Sequence, residues 1–337
     1  MSVVRRRVSR FLKLAVAGAL LYYIFRVVPF ADVMRSLRSA QLGKVAVGMG
    51  LLFATRIIAA LRMKLLTDKQ GLVFSLPEIF EISTTATFYG LVLPGTLSGG
   101  AIRWYKLARQ GDPMRALASL TWDRLADATM VALTGVGFWL ASRPSAGHTA
   151  IGPALLAACA GLVVLYLAGF SRGAGELLLR PIEIAGRRLA PDWLRTRGGE
   201  LAAAARRYHE PAGRFQYKVA ALSLASQLAG ATAFFFWAGS LGSSVGFAEL
   251  GWVRSCYMLV VLLPITFAGL GAREGILILL LRPYGVSGAE CVALSFLQLG
   301  GTLVLAALGG LFELRSLWRV RPTARPNELV APVGDDR

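Results

Sequence analysis

The sequence predicts an all-α, polytopic membrane protein with about six full spans and two broken, re-entrant segments related as inverted repeats. Of its 337 residues, 55% are hydrophobic and 17% are charged, which is too apolar for an ordinary soluble domain of this length. Several stretches with few charges are long enough to cross a hydrocarbon core of about 30 Å as helices. A motif that occurs twice inside apolar sequence is the third observation.

The repeated motif has the pattern P-x-T-x-x-G-x-x-x-R. Its copies are Pro94–Arg103 and Pro264–Arg273, and an acidic residue, Glu78 or Glu249, precedes each copy at the head of an apolar run. Because Pro and Gly interrupt helices, each copy predicts two shorter helical pieces in place of one continuous span. Duplication of a helix break at membrane depth is typical of transporters that have a site between two repeats.

The chain divides into two transmembrane halves. The predicted full spans are 12–29, 44–61, 116–141, 150–169, 217–240 and 291–315. The predicted broken segments are about 78–110 and 249–283. The predicted domains are a first half at 1–170, a basic cytoplasmic or interfacial linker at 171–217, a second half at 218–320 and a disordered tail at 321–337.

Lysine and arginine are concentrated between the spans, in the N-terminal cluster, the loop with Arg62, Lys64 and Lys69, the linker and the tail. The positive-inside rule places these parts in the cytoplasm, which predicts a bacterial inner-membrane protein with both termini cytoplasmic. Three predicted spans separate the broken segments. An odd number makes the two segments enter the membrane from opposite faces, as inverted repeats do.

The net charge of +18 does not indicate a nucleic-acid-binding protein, because no basic stripe is interleaved with aromatic residues on a soluble segment. His148 and His209 are solitary, and the three cysteines lack metal-ligand spacing. We therefore expect no cofactor, no metal and no hydrolytic triad. The linker is either a site for anionic lipid or a solvated loop. The sequence leaves open whether the protein forms an oligomer.

Charged side chains at predicted membrane depth are costly and therefore informative. They are Arg56, Arg103, Asp123, Arg124, Asp127, Arg254, Arg273 and Glu274. Arg56 and Arg254 lie close enough to predicted span ends for their side chains to extend to the interface. The other six become candidates for a site.

Arg103 and Arg273 each follow a glycine break and are expected in the first turn of a new helix. A helix N-terminus with an adjacent guanidinium matches phosphate, so the two copies predict an anion-binding centre. The predicted substrate-binding residues are Arg103, Arg273, Gly99, Gly100, Gly269, Gly271, Thr96 and Thr266, with Pro94 and Pro264 as hinges. The alternative is that each arginine only pairs with a nearby acid and fastens the bundle.

Asp123 and Asp127 flank Arg124 at a spacing that puts both acids on one helix face. Two carboxylates on one helix face at membrane depth repel each other unless an arginine lies between them or one of them is protonated. The pattern predicts either a structural ion-pair cluster or proton coupling, and Glu274 belongs to the same class.

Four runs carry a family resemblance. They are Leu-Pro-Gly through Gly-Gly to Arg at 93–103, Arg-Ala-Leu-Ala at 115–118, Asp-Arg-Leu-Ala-Asp at 123–127, and Leu-Pro through Gly-Leu-Gly-Ala to Arg-Glu at 263–274. Over about residues 10–320, the chain resembles the family that includes the transmembrane flippase domain of bacterial lysylphosphatidylglycerol synthases and stand-alone YbhN-like proteins. The sequence departs from that family at Ala101, where relatives often have an acid.

The resemblance implies a transporter that moves a membrane phospholipid with an anionic or aminoacylated headgroup, or a lipid-linked intermediate, between leaflets. No aminoacyl-transferase domain follows Val320, so synthase activity is not implied and we expect no enzyme. The alternatives are a lipid-modifying enzyme that uses Asp123, Asp127 or Glu274 as acid or base, and a membrane scaffold.

Overall fold

The computed structural model of the chain describes residues 28–92, 98–109, 111–142, 151–170, 192–208, 213–262 and 271–319. These residues form α-helices and one short 3₁₀-helix at Arg282–Tyr284, with no β-strand among them. The helices are α1 Phe30–Arg38, α2 Leu42–Lys69, α3 Leu76–Val92, α4 Ser98–Ala108, α5 Pro113–Ala141, α6 Ile151–Phe170, α7 Asp192–Arg206, α8 Arg214–Ser240, α9 Phe247–Leu262, α10 Ala272–Leu281 and α11 Gly288–Arg319. The predicted all-α fold is confirmed.

Four of these helices are long and apolar enough to cross a membrane. They are Leu42–Lys69, Ile151–Gly169, Arg214–Ser240 and Gly288–Arg315. Helix α5 has 29 residues, but its middle carries charged side chains. At about 1.5 Å per residue, a helix of that length also exceeds the hydrocarbon thickness.

Helices occupy the predicted span ranges from 44–61 onwards, whereas most of the range 12–29 lies outside the described residues. Each predicted broken segment contains two helices, α3 with α4 and α9 with α10. The intervals between them, 93–97 and 263–270, are outside the described residues. The predicted site residues in these intervals are Pro94, Thr96, Pro264, Thr266 and Gly269.

The order of elements recurs along the chain. Helices α2 to α5 run long, short, short, long, and helices α8 to α11 repeat that order. The turn after the first long helix contains a glycine with positive φ in both halves, Gly71 at 75° and Gly242 at 90°. Most other residues are strained in this left-handed region, so both turns depend on glycine.

The two halves interlock. The most extensive helix pair is α2 with α8. These helices are antiparallel, since Lys44 near the start of α2 donates to the Gly239 carbonyl near the end of α8. Helix α3 packs on α11 of the other half, and α9 packs on α5. Each short helix before a break is therefore supported by the last long helix of the opposite half.

Glycines permit these crossings between halves. A Cβ on Gly309 of α11 would lie 2.1 Å from the Thr84 carbonyl oxygen of α3. A Cβ on Gly135 of α5 would lie 2.7 Å from the Ser255 Cβ of α9. Neither crossing has room for a methyl group, so α11 lies close against α3 and α5 close against α9.

Replacement of Gly309 by alanine is expected to destabilise the protein by about 1–3 kcal/mol, because the rigid α3 backbone blocks the added methyl group. Gly300→Ala is the matched control on the same helix, since nothing lies within 4 Å of its Cβ position. Thermal unfolding of purified protein in detergent measures both. Equal melting temperatures for the two variants would contradict the tight crossing.

Candidate functional site

Arg62 of α2 is the centre of a buried ion-pair network. Its Nε donates to Asp123 Oδ1 at 2.8 Å, and its Nη1 donates to Asp127 Oδ1 at 2.9 Å. The same Nη1 donates to the Ser223 hydroxyl of α8 at 3.1 Å. Arg62 and Asp123 are each only 3% exposed. The expectation that Arg62 lies in a cytoplasmic loop is wrong, because α2 continues to Lys69.

The sequence spacing explains this geometry. Asp123 and Asp127 are four residues apart on α5 and thus share one face, and the planar guanidinium of Arg62 fits between their carboxylates. The cation that separates the two acids is therefore Arg62 and not Arg124. The Arg124 side chain is exposed and forms no ion pair within the described part of the chain.

Arg103 of α4 joins the same network. Its Nη1 donates to Asp123 Oδ2 at 3.1 Å, so Asp123 links α2 and α4 to its own helix α5. The Arg103 Nε is buried and has no hydrogen-bond partner among the described residues. Arg103 lies in the second turn of α4, which begins at Ser98 directly after the undescribed interval. The expectation that Arg103 lies in the first turn of a new helix is therefore wrong by one turn.

The network continues into the second half through uncharged and charged side chains. Gln227 of α8 donates to Asp127 Oδ1 at 3.0 Å, and its Oε1 accepts a hydrogen bond from Arg254 Nη1 at 3.0 Å. Arg254 is 7% exposed. A Cβ on Gly230 would lie 2.3 Å from Arg254 Nη2, so this glycine makes room for the guanidinium.

The expectation that Arg254 extends to the membrane interface is wrong, because its side chain is buried. Arg254 turns inward because Gln227 and the gap at Gly230 accommodate it. The Arg56 Nε is also buried and has no hydrogen-bond partner within the described ranges.

Arg273 and Glu274 form a separate buried pair in the first turn of α10. Arg273 Nη2 and Nε donate to Glu274 Oε1 at 3.0 and 3.3 Å, and the Ser295 hydroxyl donates to the same oxygen. The Gly271 backbone N–H donates to Glu274 Oε2 at 2.7 Å. Glu274 is 1% exposed and caps its own helix, so both of its oxygens are occupied.

Tyr257 of α9 is buried, and its hydroxyl accepts a hydrogen bond from Gln298 of α11. Sequence inspection for charges at membrane depth missed Gln227, Tyr257 and Gln298 because they are uncharged. Their one signal is polarity inside apolar helices.

The predicted glycines at the first break differ in role. A Cβ on Gly99 would lie 2.7 Å from the Ala86 carbonyl oxygen and 3.4 Å from the Gly90 Cα, so Gly99 permits α3 and α4 to touch. Gly100 is exposed and has nothing within 4 Å of its Cβ position. At the second break, Gly271 has a φ of 80°, which favours glycine.

A second polar region is an open cleft of about 540 Å³ between α3, α4 and the end of α11. Lys106 forms an ion pair with Glu313, and the Tyr89 hydroxyl donates to the same carboxylate at 3.2 Å. Glu78 and Glu81 also line it. These residues lie outside the buried network, and the sequence motifs did not indicate the cleft.

Asp123→Asn is expected to destabilise the protein by about 3–5 kcal/mol, because Arg62 and Arg103 lose their shared carboxylate. Asp68→Asn is the matched control. Asp68 pairs with Lys64 at 2.8 Å on an exposed surface, and loss of such a pair costs about 0–1 kcal/mol. Thermal unfolding in detergent compares the two. A melting temperature for Asp123→Asn as high as that of the control would contradict a central structural role for Asp123.

No curated protein matches this chain. A family profile described as the lysylphosphatidylglycerol synthase TM region matches residues 10–310. The matched range includes both breaks and every residue of the buried network, from Arg56 to Gln298. The resemblance predicted from the sequence motifs is confirmed: the chain belongs to the lysylphosphatidylglycerol synthase TM region family and is a helical membrane protein.

Proposed function

We propose that the protein is a lipid transporter. It moves an anionic or aminoacylated phospholipid, or a lipid-linked intermediate, between leaflets by alternating access. The observation that carries this proposal is the buried arginine network between the two halves, beside the two helix breaks. Each ionised side chain at the centre of a membrane helix costs at least about 2.5–3.5 kcal/mol of insertion free energy. Such side chains therefore usually line a substrate or ion pathway.

The way in which Asp123 is shared supports headgroup binding by Arg103. Arg62 uses Oδ1 of Asp123, and Arg103 uses Oδ2. When a headgroup phosphate binds to Arg103, the Asp123 carboxylate keeps Arg62 as its partner. The network therefore releases one guanidinium to a ligand without leaving a buried acid unpaired, which would be costly.

Arg273 provides the corresponding group in the second half. Its partner Glu274 also accepts hydrogen bonds from the Gly271 backbone and from Ser295. That carboxylate keeps two donors when Arg273 turns to a phosphate. Guanidinium groups bind phosphate through two parallel hydrogen bonds, and a helix N-terminus favours an anion nearby.

The repeated order of helices supports inverted repeats and alternating access. Under this proposal, α3 with α4 and α9 with α10 are re-entrant or discontinuous segments, and six full spans surround them. The exchange of supporting helices, α3 on α11 and α9 on α5, is the pattern expected of two halves related by a two-fold axis. Rocking of one half against the other then opens the site to either face.

The membrane orientation follows from the basic side chains. Lys64, Lys69 and Arg115 lie at the end of the bundle where α2 ends and α5 begins, and Arg214 starts the antiparallel helix α8 at that end. The positive-inside rule assigns this end to the cytoplasm of a bacterial inner membrane. The first break then opens from the cytoplasm, and anionic lipid binds at the basic linker.

A lipid-modifying enzyme or a scaffold is the alternative. A general acid or base needs a carboxyl that is free to exchange a proton with substrate. Asp123 and Glu274 instead accept hydrogen bonds at both oxygens from arginine, serine or backbone donors. This occupancy argues against Asp123 and Glu274 as the acid or base and leaves Asp127 as the candidate carboxyl of an enzyme.

Arg103→Ala and Arg273→Ala are each expected to slow headgroup translocation at least about tenfold, the effect of losing one charged hydrogen bond of about 1.5–3 kcal/mol. The measurement is inward and outward movement of fluorescent phosphatidylglycerol in vesicles that contain the purified protein. Arg35→Ala is the control, because its side chain is 79% exposed and pairs only within α1. Wild-type rates in both site variants would contradict the proposal.

A further inference from the structure

We infer that the open cleft between α3, α4 and the end of α11 binds a zwitterionic phospholipid headgroup, in which a primary ammonium is joined to a phosphate diester. The inference goes beyond the proposed transport function and does not depend on it, because the cleft lies outside the buried arginine network. The cleft volume of about 540 Å³ is within the range of about 300–1,000 Å³ that small-molecule sites occupy. The charges on its two walls indicate the class of ligand.

The α3 wall of the cleft is acidic. Glu78 and Glu81 lie in the first turns of α3, and both line the cleft. The Glu81 carboxylate has no hydrogen-bond or ion-pair partner among the described residues. Glu78 accepts hydrogen bonds from Ser75 at Oε2, and its Oε1 accepts none within the described ranges. This wall therefore has carboxylate oxygens available to a cation.

The α4 wall of the cleft is basic, with Lys106 and Arg109 close to the end of the helix. Arg109 donates to the Tyr105 hydroxyl at 3.1 Å, and its Cζ lies 4.9 Å from the centre of the Tyr105 ring. These contacts hold the guanidinium in position without an acidic partner in the described part of the chain. The Lys106 ammonium has three donors, and its described contacts use one of them, on Glu313. This wall therefore offers donors to a phosphate.

The hairpin of α3 and α4 brings the two walls to the same end of the bundle. The end of α3 meets the start of α4, since a Cβ on Gly99 would lie 3.4 Å from the Gly90 Cα. The start of α3 and the end of α4 then face each other across the cleft. Glu81 and Arg109 line this cleft but form no ion pair with each other. A ligand that carries both an ammonium and a phosphate pairs with both side chains, whereas a ligand with one charge leaves the opposite wall unpaired.

The rest of the lining suits a lipid. Glu313 of α11 already pairs with Lys106 and accepts a hydrogen bond from Tyr89 at 3.2 Å, so the acids available to a ligand are those of α3. The apolar side chains that line the cleft are Phe74, Ile82 and Ile102. Apolar surface next to separated charges matches an amphiphile, because the charged headgroup and the glycerol with its chains each find complementary contacts.

The test is equilibrium binding to the purified full-length protein in detergent micelles. The separate probes are phosphatidylethanolamine, phosphatidylcholine and soluble glycerophosphoethanolamine. We expect phosphatidylethanolamine to bind at least about tenfold more tightly than phosphatidylcholine, a difference of about 1.4 kcal/mol, because a quaternary ammonium has no N–H to donate to a carboxylate. Glycerophosphoethanolamine is expected to bind at least about tenfold more weakly than phosphatidylethanolamine, because it has no chains to contact the apolar lining.

Glu81→Gln and Arg109→Gln are each expected to weaken phosphatidylethanolamine binding at least about tenfold, because each removes the partner of one ligand charge. Neither residue forms an ion pair among the described residues, so both variants are expected to fold. Glu290→Gln is the matched control, since Glu290 bonds to Ser287 at the start of α11 and does not line the cleft. Arg273→Ala, in the proposed transport site, is a second control. Both controls are expected to keep the affinity within about twofold.

Equal affinity of the wild-type protein for phosphatidylethanolamine and phosphatidylcholine would overturn the cleft site, as would unchanged binding in folded Glu81→Gln or Arg109→Gln. Glycerophosphoethanolamine binding as tight as that of phosphatidylethanolamine would overturn the assignment to a lipid. A loss of phosphatidylethanolamine binding in Arg273→Ala as large as that in Glu81→Gln would locate the lipid in the transport site and overturn the cleft site.

Discussion

The paired contact of Arg62 with Asp123 and Asp127 is the interaction on which the rest of the structure depends. Two carboxylates on one face of α5 repel each other in a medium where water cannot screen them. One guanidinium between them turns that repulsion into attraction and joins α2 to α5. Arg103 of α4 donates to the other Asp123 oxygen, and Gln227 of the second half shares Asp127 Oδ1 with Arg62, so α4 and α8 are both attached to the same pair of acids.

The helices that carry this network pack closely against one another. The crossing at Gly309 brings the α11 and α3 backbones together, and the crossing at Gly135 brings α5 against the Ser255 side chain of α9. Close contact of small residues is the usual basis of helix association in a membrane, because lipid tails are as apolar as the side chains. These contacts hold α3 and α9 against the opposite half of the chain.

Local sequence patterns predicted Arg103 and Arg273 near helix starts, and the described helices α4 and α10 begin at Ser98 and Ala272. The same patterns misplaced Arg62, because a basic residue near the end of an apolar run satisfies the positive-inside rule as a loop residue. Gln227 carried only the signal of a polar residue inside an apolar helix, and Gly230 carried none. Their roles come from Asp127 and Arg254, which lie on other helices.

By itself, the sequence determined the helical membrane fold and the family, because hydropathy and short motifs are local properties of the chain. Only the tertiary structure decided which charges meet. Arg62 and Asp123 are 61 positions apart, and their pairing depends on how α2 crosses α5. It also decided that Arg254 is buried, since the space at Gly230 and the partner Gln227 that hold it belong to a neighbouring helix.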